Sequence, residues 1–260
     1  MENIFSLSRF GNLVNKHFRE HLRTYLMSLI VFGAIILIFF MFILNTGNRT
    51  TITIEDQFVV CGVTLFLGIF IFAGNIFSDY NHSRSAFVTT MLPGSIFEKY
   101  LLYWLVSLIG FTLFALGTYH LSQTIIIEYV KTQGVEPIRF FVWNVTNTSP
   151  PSKWIFLVYA LIHSVAFLGA ISFRKKTVIV TALISFAIIS AYIYLNHRTT
   201  IVALYGDSTP IPFVPVTVHL PTGYATLNAP NNELWAIIFI SVLVILLWIC
   251  AYFKLKERQV

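Results

Sequence analysis

Charge is what this chain of 260 residues has least of. Asp, Glu, Lys and Arg make up 11% of it, against roughly a quarter in an ordinary soluble domain. That shortage excludes a water-facing globular fold for most of the chain. Cysteine is equally scarce. Cys61 and Cys250 both lie inside apolar runs, which excludes a disulfide framework and reads as two buried packing thiols. No G-x-x-x-x-G-K-[ST] loop occurs, so the chain carries no nucleotide-binding loop of its own. H-E-x-x-H, G-x-S-x-G and Cys/His clusters with metal-ligand spacing are also missing. No catalytic residue, metal or cofactor is therefore expected. Apart from Tyr and Cys, the titratable groups within the apolar runs are His163, mid-run, and His120, at the end of one. A lone His in such a run is more often an interhelical hydrogen-bonding residue than a catalyst, and the buried carboxylates of an ion-coupled pump are absent.

What fills the chain instead is hydrophobic: 57% of residues, in six runs free of Asp, Glu, Lys and Arg at 26–44, 58–77, 100–120, 154–173, 178–195 and 234–253. At about 1.5 Å per residue such runs match a hydrocarbon core of about 30 Å. Backbone groups in lipid must satisfy one another, so the runs read as helices. The expected fold is an all-α membrane protein with six transmembrane helices in a domain over 26–260, preceded by an amphipathic interfacial helix over 1–25. The third run can extend to Ile127. The fourth and fifth are separated by Arg174, Lys175, Lys176 and Thr177, which read as a tight turn, because three successive cations do not sit at a bilayer centre. The first run has no Ala-x-Ala-like cleavage site and is expected to stay as an anchor.

The cations give the runs a direction. With the amino terminus inside, five of the 17 Lys and Arg residues fall outside (Arg49, Lys131, Arg139, Lys153 and Arg198) and the other twelve inside. The positive-inside rule then predicts both termini on the cytoplasmic side. The net charge of +6, which in a soluble protein would suggest nucleic acid, is accounted for by these anchoring residues, and no nucleic-acid partner is expected.

Residues Ile4, Leu7, Phe10, Val14, Phe18 and Leu22 recur at helical spacing, with Arg9, Lys16, Arg19 and Arg23 between them. This is the pattern of a helix in the headgroup region or, alternatively, of one packed on a partner. Two external segments are long, 121–153 and 196–233. The second carries Pro210, Pro212, Pro215, Pro221 and Pro230, which exclude a regular helix there and favour extended structure. Asn48, Asn144 and Asn147 open glycosylation-type triplets, a pattern that chance often produces.

The most informative stretch is the connection between the second and third runs, 78–99: SDYNHSRSAFVTTMLPGSIFEK. Pro93 and Gly94 break the chain, and Ser95 with Glu98 fits a capping box that opens the third helix. Residues 83–91 can form a short surface helix. Asn75 and Asp79, near the same boundary, read as capping or solvated groups.

The basic amphipathic start, the six runs and the element Leu92-Pro93-Gly94-Ser95-Ile96-Phe97-Glu98-Lys99 resemble permease subunits of ATP-binding cassette exporters, the class that includes glycan and lipid exporters. The L-P-x-S-x-x-E-K form is similar to that of permease-like proteins of Bacteroidetes. The proline-rich connection before the last run departs from the short helical hairpin of that class. The resemblance implies a bacterial inner-membrane protein whose P-loop belongs to a separate cytoplasmic ATPase subunit. It also implies a second permease chain, in a homo- or heterodimer, around a central pathway. The coupling region would be the 78–99 connection, with Arg84, Ser85, Pro93, Ser95, Glu98 and Lys99 at or near the ATPase contact. The alternative from another class is a non-transporting membrane scaffold or accessory protein that binds partners through the same face. An intramembrane enzyme would need His120 and His163 to converge.

Overall fold

The computed structural model describes residues 5–46, 54–80, 94–132, 150–204, 216–220, 223–227 and 232–258. The six apolar runs form six helices, α1 (Leu7–Thr46), α2 (Ile54–Asn75), α3 (Ile96–Thr132), α4 (Pro150–Ser172), α5 (Thr177–Leu204) and α6 (Asn232–Arg258), of which α2 and α4 stop one or two residues short of the end of their runs. All six are long and apolar enough to cross a membrane, and the chain is a multi-pass membrane protein. A 3-10 turn, Ser78–Tyr80, follows α2. Strands β1 (Val216–Leu220) and β2 (Gly223–Leu227) pair antiparallel between α5 and α6, in the segment whose prolines predicted extended chain.

All six helices begin before their apolar runs, and α1, α3, α5 and α6 also end beyond them. The 40 residues of α1 make about 60 Å of helix, twice the hydrocarbon core. The amphipathic segment is therefore the first part of the same helix as the first span. No proline interrupts it, and without proline or a π bulge a helix bends only gently. Part of its apolar stripe faces protein, because Phe10 and Val14 pack against the cluster in which neighbouring Leu13 is buried. His17 is buried too, with its ring centroid 5.8 Å from that of Tyr103. Helix α3 continues to Thr132, past Ile127.

Two clusters show that the helices alternate in direction. One joins Leu13 of α1, Phe77 beyond α2, Leu102, Tyr103 and Val106 of α3, Phe167 and Ile171 of α4, and Ala251 and Leu255 of α6. The other joins Ile36 and Phe40 of α1, Val60 and Leu65 of α2, and Ala115, Tyr119 and Ile126 of α3. The first cluster marks one end of the bundle, where α1 and α3 start and α2, α4 and α6 finish. Helix α5 begins there too: Thr177 Oγ1 donates to the Gly74 carbonyl at 2.9 Å.

Small residues permit that last approach. A Cβ on Gly74 would lie 2.8 Å from Val178 Cγ2, and one on Gly169 would overlap the Thr181 hydroxyl and sit 2.8 Å from its Cβ. Such close backbone packing is a common way for helices to associate in lipid. The turn from α4 to α5 is as tight as its cations predict, and Lys176 adopts a left-handed φ of 49°. Beyond its base α5 leaves the bundle, and only 6% of its apolar window is buried. Of the two thiols, Cys61 is buried as expected, but Cys250 is exposed on α6. An apolar run in lipid needs no buried face, so its position in the run did not determine its burial.

Candidate functional site

The capping box read from the sequence is formed. Ser95 sits in an extended conformation (φ −66°, ψ 156°), and its Oγ accepts from the Glu98 N–H at 3.1 Å. In return the Glu98 Oε2 accepts from the Ser95 N–H at 2.9 Å. This satisfies donors at the helix start, and the negative charge meets the positive end of the helix dipole.

The remaining contacts of Glu98 come from far along the chain. Its Oε1 accepts from the Ser6 N–H at 2.7 Å and from the Arg9 guanidinium at 3.1 Å. The carboxylate is fully buried, at 0% exposure, while the Arg9 side chain is 41% exposed. A buried charge is tolerated when it is paired and hydrogen-bonded, and three donors converge on this one. The knot pins the start of α1 to the start of α3.

The other end of the 78–99 connection is fixed beside it by aromatic packing. Phe77 is 1% exposed, with ring centroids 4.8 Å from Tyr103 and 5.0 Å from Phe167. Tyr80, the last described residue before the connection, packs edge-on to Tyr103 at 5.9 Å. At the far end of α2, Tyr119 donates to the Gln57 carbonyl and the Gln123 amide donates to the Gln57 side chain. Helix α2 therefore spans the level from Tyr103 to Gln123 of α3. Glu98 lies five residues outside that level, about 8 Å further along the helix.

Of the six candidate coupling residues, Ser95, Glu98 and Lys99 are brought together. Glu98 and Lys99 (4% exposed) face into the bundle, so they support the connection from beneath. Arg84, Ser85 and Pro93 lie outside the described residues, as do the 83–91 segment and the three glycosylation-type asparagines. Asn75 donates to the Ile71 carbonyl at 3.0 Å at the end of α2, as a capping group does.

A second polar constellation sits in the bundle interior. Helix α3 contains a π turn, Val106–Gly110, and its Ser107 Oγ lies 2.9 Å from His163 Nε2 on α4. Trp248 of α6 donates its indole N–H to His163 Nδ1 at 3.2 Å. An indole can only donate, so Nδ1 accepts and the ring proton resides on Nε2. Nε2–H then donates to Ser107, whose hydroxyl donates to the Trp104 carbonyl at 3.2 Å. The proton order is the reverse of a serine nucleophile activated by histidine, which must accept from the serine. His163 is the interhelical bridge the lone-histidine reading favours, joining α3, α4 and α6. His120 instead contacts Gln123 at 3.1 Å. It is 13 residues from Ser107 along α3, about 20 Å away, so the two histidines do not converge. Among the described residues no group of three or more His, Cys, Asp and Glu side chains is placed to hold a metal.

Sequence reasoning found Ser95, Glu98 and His163 but not their partners Ser6, Arg9, Ser107 and Trp248, whose pairings span 56 to 92 residues and leave no spacing signal. No protein-family model, curated protein or solved structure matches the chain.

Proposed function

We propose that this chain is the membrane-spanning permease subunit of an ATP-driven exporter, energised by a separate cytoplasmic ATPase subunit that docks on the 78–99 connection. One observation carries the reading: both ends of that connection are anchored in the same end of the bundle. Tyr80 is packed on Tyr103, and Ser95 and Glu98 are tied to Ser6 and Arg9. A load on a connection mounted in this way is passed to α1, α2 and α3 together, which is what a coupling element must do. The positive-inside rule supports a cytoplasmic position for this end, the resemblance supports a bacterial inner membrane, and the lack of a P-loop supports an ATPase that is a separate partner. A second permease chain completes the pathway.

A non-transporting scaffold is the second reading. It is favoured by the way Ser107, His163 and Trp248 satisfy one another instead of lining an open path. Co-purification in mild detergent separates the two. The exporter reading expects a P-loop ATPase to accompany the chain, with its turnover altered by Arg84→Ala or Glu98→Gln. An intact, folded chain that brings down no ATPase leaves the scaffold.

A further inference from the structure

We propose that the turn between α4 and α5, together with the end of α6, forms a binding site for an anionic phospholipid of the surrounding leaflet. Arg174, Lys175 and Lys176 occupy consecutive positions in that turn, and all three are exposed. Arg258 closes α6 at the end of the bundle where α4 finishes, three residues beyond Leu255, which is buried in the same cluster as Ile171 of α4. Like charges set side by side repel, and none of these four cations forms an ion pair among the described residues. Four cations elsewhere are compensated, Arg9 by Glu98, Lys16 by Glu20, Lys131 by Glu128 and Lys254 by Glu257, and the turn differs from the remaining ones in setting three cations at successive residues. The turn thus gathers three unpaired cations at one place.

That place is at the edge of the bilayer. Thr177, the next residue, bonds to Gly74 at the end of α2, which sets the turn at the level where the spans finish. Directly beyond it α5 presents Ile179, Leu183 and Phe186, 57%, 63% and 71% exposed, at helical spacing along one face. A cationic turn at the headgroup level followed by an open apolar helix face fits a molecule with an anionic head and hydrocarbon tails. A soluble acidic protein would match the turn and leave the apolar face unused. A phospholipid phosphate can accept from several of these donors at once.

The inference does not depend on the exporter reading, and its test leaves ATPase binding aside. The full chain, purified in detergent, is titrated with phosphatidylglycerol or phosphatidylcholine, and the retained lipids are counted by native mass spectrometry. The wild type should retain phosphatidylglycerol in preference. The Arg174→Gln/Lys175→Gln/Lys176→Gln variant should lose that preference, at roughly fivefold per cation. Arg258→Gln should weaken it without touching the turn, which guards against a triple variant that misfolds. Arg19→Gln/Arg23→Gln, which removes charge from α1 at the same end, should retain the preference. Equal retention of the two lipids by the wild type would overturn the proposal, and so would equal losses in the turn and α1 variants, which indicate diffuse attraction.

Discussion

The Ser6 backbone N–H donates to Glu98 Oε1 at 2.7 Å across 92 residues of chain, and through this contact the first described turn of the protein is held by the first turn of α3. Glu98→Ala removes the acceptor for Ser6, Ser95 and Arg9 at once. It is expected to cost about 2–4 kcal/mol, read as a lower thermal midpoint in a fixed detergent. Glu98→Gln should cost less, because its amide oxygen can still accept from Ser6 and Arg9 while only the Ser95 half of the capping box is lost. Equal losses for the two variants would contradict this, showing that the retained amide oxygen holds neither Ser6 nor Arg9 and that the carboxylate charge alone carries the knot.

His163→Ala should destabilise the bundle by about 2–4 kcal/mol, because it opens a cavity and leaves the Trp248 indole N–H without its acceptor. Trp248→Phe keeps most of the packing and should cost about 1 kcal/mol. Thermal unfolding followed by size-exclusion chromatography ranks the two, and a larger loss for Trp248→Phe would show that indole packing on Trp104, rather than the bond to His163, holds this part of the bundle.

Gly169→Ala places a methyl group into Thr181, and neither backbone can retreat without parting α4 from α5. The expected cost is about 1–3 kcal/mol. Adding Thr181→Ala removes the hydroxyl and methyl and should return part of it, so the double variant melts above Gly169→Ala alone. Additive losses would mean that the two positions do not touch.

Lys176 holds a left-handed φ of 49° that its side chain disfavours, while its carbonyl accepts from the Val180 N–H at 3.0 Å in the opening turn of α5. Lys176→Gly relieves the Cβ conflict and keeps the carbonyl. It should therefore stabilise the turn by about 1 kcal/mol, visible as a higher thermal midpoint. A lower midpoint would show that the side chain itself supports the turn.

The spans were legible because hydropathy is a local property, and three charges together at Arg174, Lys175 and Lys176 could only mark a turn. Helix ends were not, since a helix does not stop at the membrane surface: α3 carries Glu128 and Lys131 in its last turns, paired at 2.6 Å. The stripe of Leu7, Phe10 and Val14 signalled an apolar face without saying what covers it, and Leu13, outside that stripe, is the residue fully taken into the buried cluster, with Phe10 and Val14 packed beside it. Cys250 shows the same limit in reverse. The Ser95–Glu98 box is contained within four residues and was read whole, whereas Arg9 reaches it only through the fold.

The central claim is that the 78–99 connection is where an ATPase subunit engages this chain. A photo-crosslinking amino acid placed at Ser85 in the full-length protein, irradiated in intact membranes, tests it most directly. The account predicts one main adduct that contains a P-loop ATPase, weakened when Glu98→Ala loosens the mount. A folded, membrane-inserted chain that yields no such adduct from Ser85, while ATPase adducts form from another surface or not at all, would contradict it.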